Sequence, residues 1–239
     1  MGEAKRRVFA YLSLTLAYIA TGKLALMLAV PPGYASPIFP PAGIAVACML
    51  VRGSITLPWT FIGSLLLNVW TGYSVSHQLD ETGSAAAIVI AAASMGQAVV
   101  GGSVLRRAIG YPAPLDNSRD LSLFLLLSPL FCLTSATLSL AGLSTLGVVR
   151  IADLGTSWIS WWIGDTLGVL LVLPLMLILA GEPRPLWRSR LGSVALPMLL
   201  FFAVFTAIFI RVSKMGARGG FAGVPASLPA DHRQDPRRA

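Results

Sequence analysis

Residues 158–180 read WISWWIGDTLGVLLVLPLMLILA, and this stretch decides the fold. After a tryptophan-rich start it is apolar almost without interruption, and it exceeds the ~20 residues that a helix needs to cross a hydrocarbon core of ~30 Å. A soluble core helix of this length would keep one polar face; this one keeps a single charge, Asp165. Similar runs occur at Phe9–Val30, Ile55–Gly72, Ala85–Leu105, Leu121–Val149 and Leu191–Ile210. Ile38–Val51 is shorter and follows Pro37, Pro40 and Pro41, which favour a helix start there. Over the 239 residues, 55% are apolar and only 12% charged, with a mean hydropathy of +0.75. The fold class expected is therefore all-α: a polytopic integral membrane bundle of about seven transmembrane helices, with six to eight as the range.

The net charge of +8 would suggest nucleic acid in a soluble protein, but here the basic residues sit in clusters between apolar runs, so no nucleic-acid partner is expected. Lys5, Arg6, Arg7, Arg52, Arg106, Arg107, Arg119, Arg184, Arg188 and Arg190 fall on one side of a seven-span arrangement, and among the loops only Arg150 falls on the other. By the positive-inside rule the amino terminus is cytoplasmic. Seven spans put the carboxyl terminus in the periplasm, together with Arg211, Lys214, Arg218, Arg233, Arg237 and Arg238, which runs against that rule. Cys48 and Cys132 lie inside apolar runs without paired spacing, so neither a disulfide nor a metal is expected. No phosphate-binding or catalytic motif is visible, and no catalytic residue or cofactor is expected. From Met215 onward the chain is rich in Gly, Pro, Ala and Arg and cannot bury a core.

Two ionisable residues fall well inside spans, Lys23 and Asp165, and either would cost ~2.5–3.5 kcal/mol or more facing lipid. Counted from Val30 and Trp158, both lie roughly 10 Å below the outer surface, so an ion pair between them is an open possibility beside snorkelling of Lys23. Asn68 joins the same layer, and Gln97 is deeper and reads as interhelical glue. Gly164 and Gly168 allow close helix approach. Trp158, Trp161 and Trp162 form either an interfacial belt or, for Trp161, the wall of a polar pocket. A helix starting at Pro40, Pro41 and Gly43 would add its positive dipole end to that layer, where an anion would be favoured.

These residues, in this order, resemble a family. Phe39-Pro40-Pro41-Ala42-Gly43, then Trp59, Gly63 and Asn68, then Trp161-Trp162, Gly164-Asp165, Gly168 and Pro174 are similar to the type-one MASE domains, membrane-associated sensors of bacterial signalling proteins. Phe39 departs from the pattern, since that family usually has tryptophan there. The resemblance implies a non-enzymatic sensory input in the inner membrane, placed before histidine kinase or cyclic-di-GMP outputs (two-component or cyclic-di-GMP signalling), with an output domain absent from this chain. It also likens the last span to the helix that precedes an extracellular CHASE domain, with a truncation at the tail. The division expected is a basic amino terminus over 1–8, the sensor domain over 9–181, a basic loop and last transmembrane helix over 182–213 and a disordered tail over 214–239. The sensing or structural polar layer is assigned to Lys23, Pro40, Pro41, Gly43, Asn68, Trp161, Trp162, Gly164, Asp165 and Gly168. Expected partners are the lipid bilayer, a second copy or a neighbouring membrane protein, and an undefined small-molecule or membrane-state signal. The rival readings are a small transporter-like protein and a non-signalling fragment.

Overall fold

The computed structural model describes residues 3–27, 36–78, 80–112, 115–182, 184–189 and 191–197, then 199–200, 203–204, 207 and 211. By its contacts the chain divides into one unit over Met1–Phe201 and another over Phe202–Ala239, and the bundle lies in the first. Its elements are α1 (Glu3–Leu26), α2 (Pro40–Arg52), α3 (Leu57–Ser76), α4 (Glu81–Ala108), α5 (Ser118–Thr145), α6 (Leu154–Ala180) and α7 (Arg184–Ser189), with no strand among the described residues. The segment α1 from Val8, then α4, α5 and Ile151–Ala180 through α6, are each long and apolar enough to cross a membrane. The all-α membrane bundle read from the sequence is thus the observed fold. Of the expected last span, Leu191–Ile210, only part lies within the described residues, and the tail after residue 211 lies outside them.

Boundaries follow local chemistry. Asp80 caps α4, its Oδ1 accepting from the Gly83 amide at 3.0 Å, and Asn117 caps α5 by accepting from the Asp120 amide at 2.7 Å. Each cap satisfies one of the amides that a helix start leaves unpaired. Pro129 does not split the run around it, because α5 is continuous from Ser118 to Thr145.

The helices α1, α3, α4, α5 and α6 form an open arc in which each packs on the next, and α2 lies within it, touching α1, α4 and α6. That position explains why α2 is buried without a break from Pro41 to Ala47 and again at Leu50. Contacts at the ends fix the directions. Tyr11 stacks on Trp59 and Lys23 reaches Ser74, so α1 and α3 run the same way. Arg106 Nε and Nη2 donate to Leu50 O at 2.8 and 2.6 Å, so α2 and α4 end together, and the guanidinium closes off a carbonyl at the negative end of α2. Arg52, Arg106, Arg107, Arg119, Arg184 and Arg188 therefore gather at one end of the bundle.

The shortness of α2 has a specific cause. It starts inside the bundle, with Ser36 and Ile38 buried ahead of it and the Phe39 amide donating to Gly164 O at 2.9 Å. Gly164 lies ten residues into α6, roughly 15 Å along its axis. Irregular backbone at such depth is tolerated only when enclosed by protein. Three glycines make the enclosure: a methyl group on Gly164 would overlap Ser36 O, on Gly168 it would overlap Phe39 O, and on Gly43 it would overlap Gly168 O. The α2 start also needs few donors. Phe39 N–H is taken by Gly164, Pro40 and Pro41 have none, and Ala42 N–H bonds Phe39 O at 3.1 Å.

Candidate functional site

Asp165 is 2% exposed, one helical turn after Trp161. Its carboxylate takes hydrogen bonds from the side chains of Ser135 on α5 and Gln97 on α4. Beside it, the hydroxyl of the fully buried Tyr18 on α1 is shared with Ser64 on α3 and Ser94 on α4. Ser64 Oγ meets Ser94 Oγ at 3.3 Å, and Asn68 Nδ2 donates to Ser64 O at 2.8 Å. One polar layer thus draws side chains from five helices. In a bilayer such groups find few alternatives to one another, and each bond contributes on the order of 0.6 kcal/mol, up to 1–2.

A cavity of about 40 Å³ opens on this layer, with Asp165, Asn68, Ser94, Thr71 and Ser36 among its walls and the rings of Phe39 and Trp161 beside them. A water needs roughly 10–15 Å³ measured this way, so the space holds about three waters or a ligand of a few heavy atoms. Leu26, Leu67 and Ile90 supply the apolar wall.

The structure brings Asn68, Trp161 and Asp165 together and separates Lys23 from them. Lys23 lies over the Trp70 ring at 4.8 Å, with Nζ 3.5 Å from Ser74 Oγ, and no ion pair joins it to Asp165 among the described residues. The depths expected from the sequence used the wrong helix ends. With α1 ending at Leu26, Lys23 is in its last turn, whereas α6 starts at Leu154, which puts Asp165 roughly 16 Å in. The two side chains therefore do not pair.

Pro40, Pro41, Gly43, Gly164 and Gly168 build the buried α2–α6 seat. The anion-favouring helix start expected there is corrected, because the amides from Phe39 to Ala42 are bonded or absent as described above. Trp162 turns away from the cavity: its Nε1 donates to Pro129 O at 2.7 Å, and its ring stacks on Trp158 with centroids 6.0 Å apart. Trp161 packs beside Ala86, Ile90 and Leu143 as well as lining the cavity.

Tyr18, Ser64, Ser94 and Ser135 were not singled out by sequence reasoning, though a signal was present. Thr60, Ser64 and Asn68 repeat every four residues, Ser94 and Gln97 are three apart, and Ser128, Cys132, Ser135 and Ser139 alternate steps of four and three. Such spacing puts small polar groups on one helix face, and in each helix that face is turned inward.

Residues 10–217 match the family model MASE1, a span that takes in the bundle and the apolar segment Leu191–Ile210. Comparison with curated proteins and with solved structures yields no match.

Proposed function

The chain belongs to the MASE1 family, membrane sensor modules of signalling proteins, and on that premise we propose that the cavity beside Asp165 is its sensing element. The observation that carries this reading is the buried carboxylate at a small cavity where five helices meet, a place where occupancy can change helix packing. In this reading the module is a non-enzymatic input to a histidine kinase or cyclic-di-GMP output. It sits in the inner membrane with its arginine-rich end cytoplasmic, the sensor domain spans 9–181, and the segment 182–213 carries the signal onward past a second copy or a neighbouring membrane protein.

The path from cavity to output follows the tight seat. Gly43, Gly164 and Gly168 leave no slack between α2 and α6, so the two move as one body, and α6 leads directly to α7. Trp187 on α7 is buried in the same apolar cluster as Leu50, Leu105 and Leu177, at the arginine-rich end. A signal that binds one arrangement of α6 more tightly than the other shifts the population between them, and the shift reaches α7 through these contacts.

The test joins the full chain, through one added transmembrane helix, to a cytoplasmic diguanylate cyclase. Product is measured across a panel of external pH, osmolarity and nutrient conditions, with protein level scored in the same cells. The reading expects a condition-dependent output that Trp161→Ala and Asn68→Ala abolish at parental protein level. Variants that accumulate normally and respond like the parent would refute it.

A further inference from the structure

The polar groups of the cavity wall lean toward acceptance, with the Ser94 hydroxyl and the Trp161 indole as its donors. Ser36 Oγ donates to Ile38 O at 2.8 Å and Thr71 Oγ1 donates to Leu67 O at 2.8 Å. Asn68 Nδ2 donates to Ser64 O at 2.8 Å and to Ser64 Oγ at 3.4 Å. Ser36 and Thr71 have spent their only protons on nearby backbone, so what they retain for the cavity is lone pairs, and Asn68, with its amide nitrogen turned to Ser64, keeps its Oδ1 as an acceptor. Asp165 adds a carboxylate of which Ser135 and Gln97 occupy two positions, out of about four that an ionised carboxylate offers. Among the described lining residues there is no Lys, Arg or His, and Lys23 is engaged with Trp70 and Ser74. An anion entering here would meet a carboxylate and acceptor oxygens. A ligand that brings positive charge and N–H donors meets the complement of both, with the aromatic walls adding an attraction for cations.

We propose that the cavity binds a small protonated primary amine, its ammonium group donating to Asp165, Asn68 and Thr71 and its alkyl part lying against Leu26, Leu67 and Ile90. The volume of about 40 Å³ suits two or three heavy atoms by the measure of about one probe sphere per water. This assignment rests on the reading of the cavity as the sensing element and names the class of signal that it takes.

The full chain in lipid nanodiscs, with potassium chloride as background salt, is titrated with radiolabelled methylammonium in a scintillation proximity assay. Saturable binding is expected, displaced by ethylammonium and not by acetate or by added potassium. Asp165→Asn should weaken it at least about tenfold, the scale of one charge-assisted hydrogen bond. Should that variant fail to accumulate, Thr71→Leu carries the test, because it keeps the carboxylate and fills the space, and it should abolish binding. Absence of saturable binding, equal displacement by potassium, or binding unchanged in the variants would overturn the amine assignment. Failures of the two readings separate cleanly. If the cyclase fusion loses its response in Trp161→Ala while methylammonium does not bind, the amine assignment falls alone. If methylammonium binds with the expected dependence and the fusion ignores Trp161→Ala, only the sensing reading falls.

Discussion

Replacing Gly168 by alanine tests the seat that holds α2 inside the bundle. A Cβ at this position would overlap Phe39 O and stand 2.6 Å from Phe39 C and 3.3 Å from Pro40 N. To bring Phe39 C alone back to ordinary contact near 3.4 Å, the α2 start must retreat by about 0.8 Å from α6, and the nearer Phe39 O demands more. Backbone cannot step aside as a flexible side chain can. Overpacking of this kind costs ~1–3 kcal/mol, and loss of the Phe39 N–H to Gly164 O bond adds about 1 kcal/mol. Alanine returns at most about 1 kcal/mol in helix propensity, leaving a net loss of about 2 kcal/mol. Gly96→Ala supplies the control: its Cβ would lie 3.7 Å from Leu138 Cδ1 and 3.9 Å from Thr134 Cγ2, so it should be neutral or slightly stabilising. Unfolding of the purified protein from dodecyl maltoside into sodium dodecyl sulfate, followed by tryptophan fluorescence, reads both. Gly168→Ala as stable as Gly96→Ala would show that residues 36–43 are not seated on α6.

Three further outcomes are expected. Lys23→Met should leave stability within about 0.5 kcal/mol of the parent, and its effect should add to that of Asp165→Asn in a double-mutant cycle; rescue of one by the other would mean that the two pair. A cysteine at Ser189 should react with an impermeant thiol reagent only after permeabilisation, and labelling in intact cells would invert the proposed orientation. Tyr111, in the loop after α4, has its phenol pushed above the ordinary tyrosine range, first by burial and then by the Glu182 carboxylate. The unfolded chain then loses that proton first, so stability falls as pH rises past about 10; Tyr111→Phe should flatten this alkaline loss in a pH series of unfolding midpoints.

The bundle was legible because hydropathy, length and arginine placement answer to the bilayer alone, and Phe9–Val30 or Leu121–Val149 need no tertiary information to read as spans. The family was legible because Pro40-Pro41, Gly164-Asp165 and Gly168 stand in fixed order. What failed was depth. Trp158 reads as a helix start because tryptophan marks interfaces, yet the 3₁₀ turn Ile151–Asp153 and Leu154 begin α6 earlier, and this error made Lys23 and Asp165 look level. The start of α2 at Pro40 and Pro41 was legible, but its enclosure was not. Hydropathy shows where a segment is apolar, and only the packing of Phe39 on Gly164 shows that it begins in mid-bundle. Asn68, Trp161 and Asp165 were identifiable singly by the cost of a polar or aromatic group in lipid, whereas Tyr18 and the serines were not, because their hydroxyls are ordinary in membrane helices until five of those helices meet.

On the proposed reading, the space beside Asp165 is where the signal acts. Thr71→Leu tests it most directly, since it fills that space while leaving Asp165, its partners Ser135 and Gln97, and the α2–α6 seat unchanged. In the cyclase fusion, with protein level measured in the same cells and the lipid-facing Leu66→Ala as control, Thr71→Leu should give parental protein and a constant output insensitive to condition. A fusion with Thr71→Leu that responds over the same range as Leu66→Ala would contradict the claim.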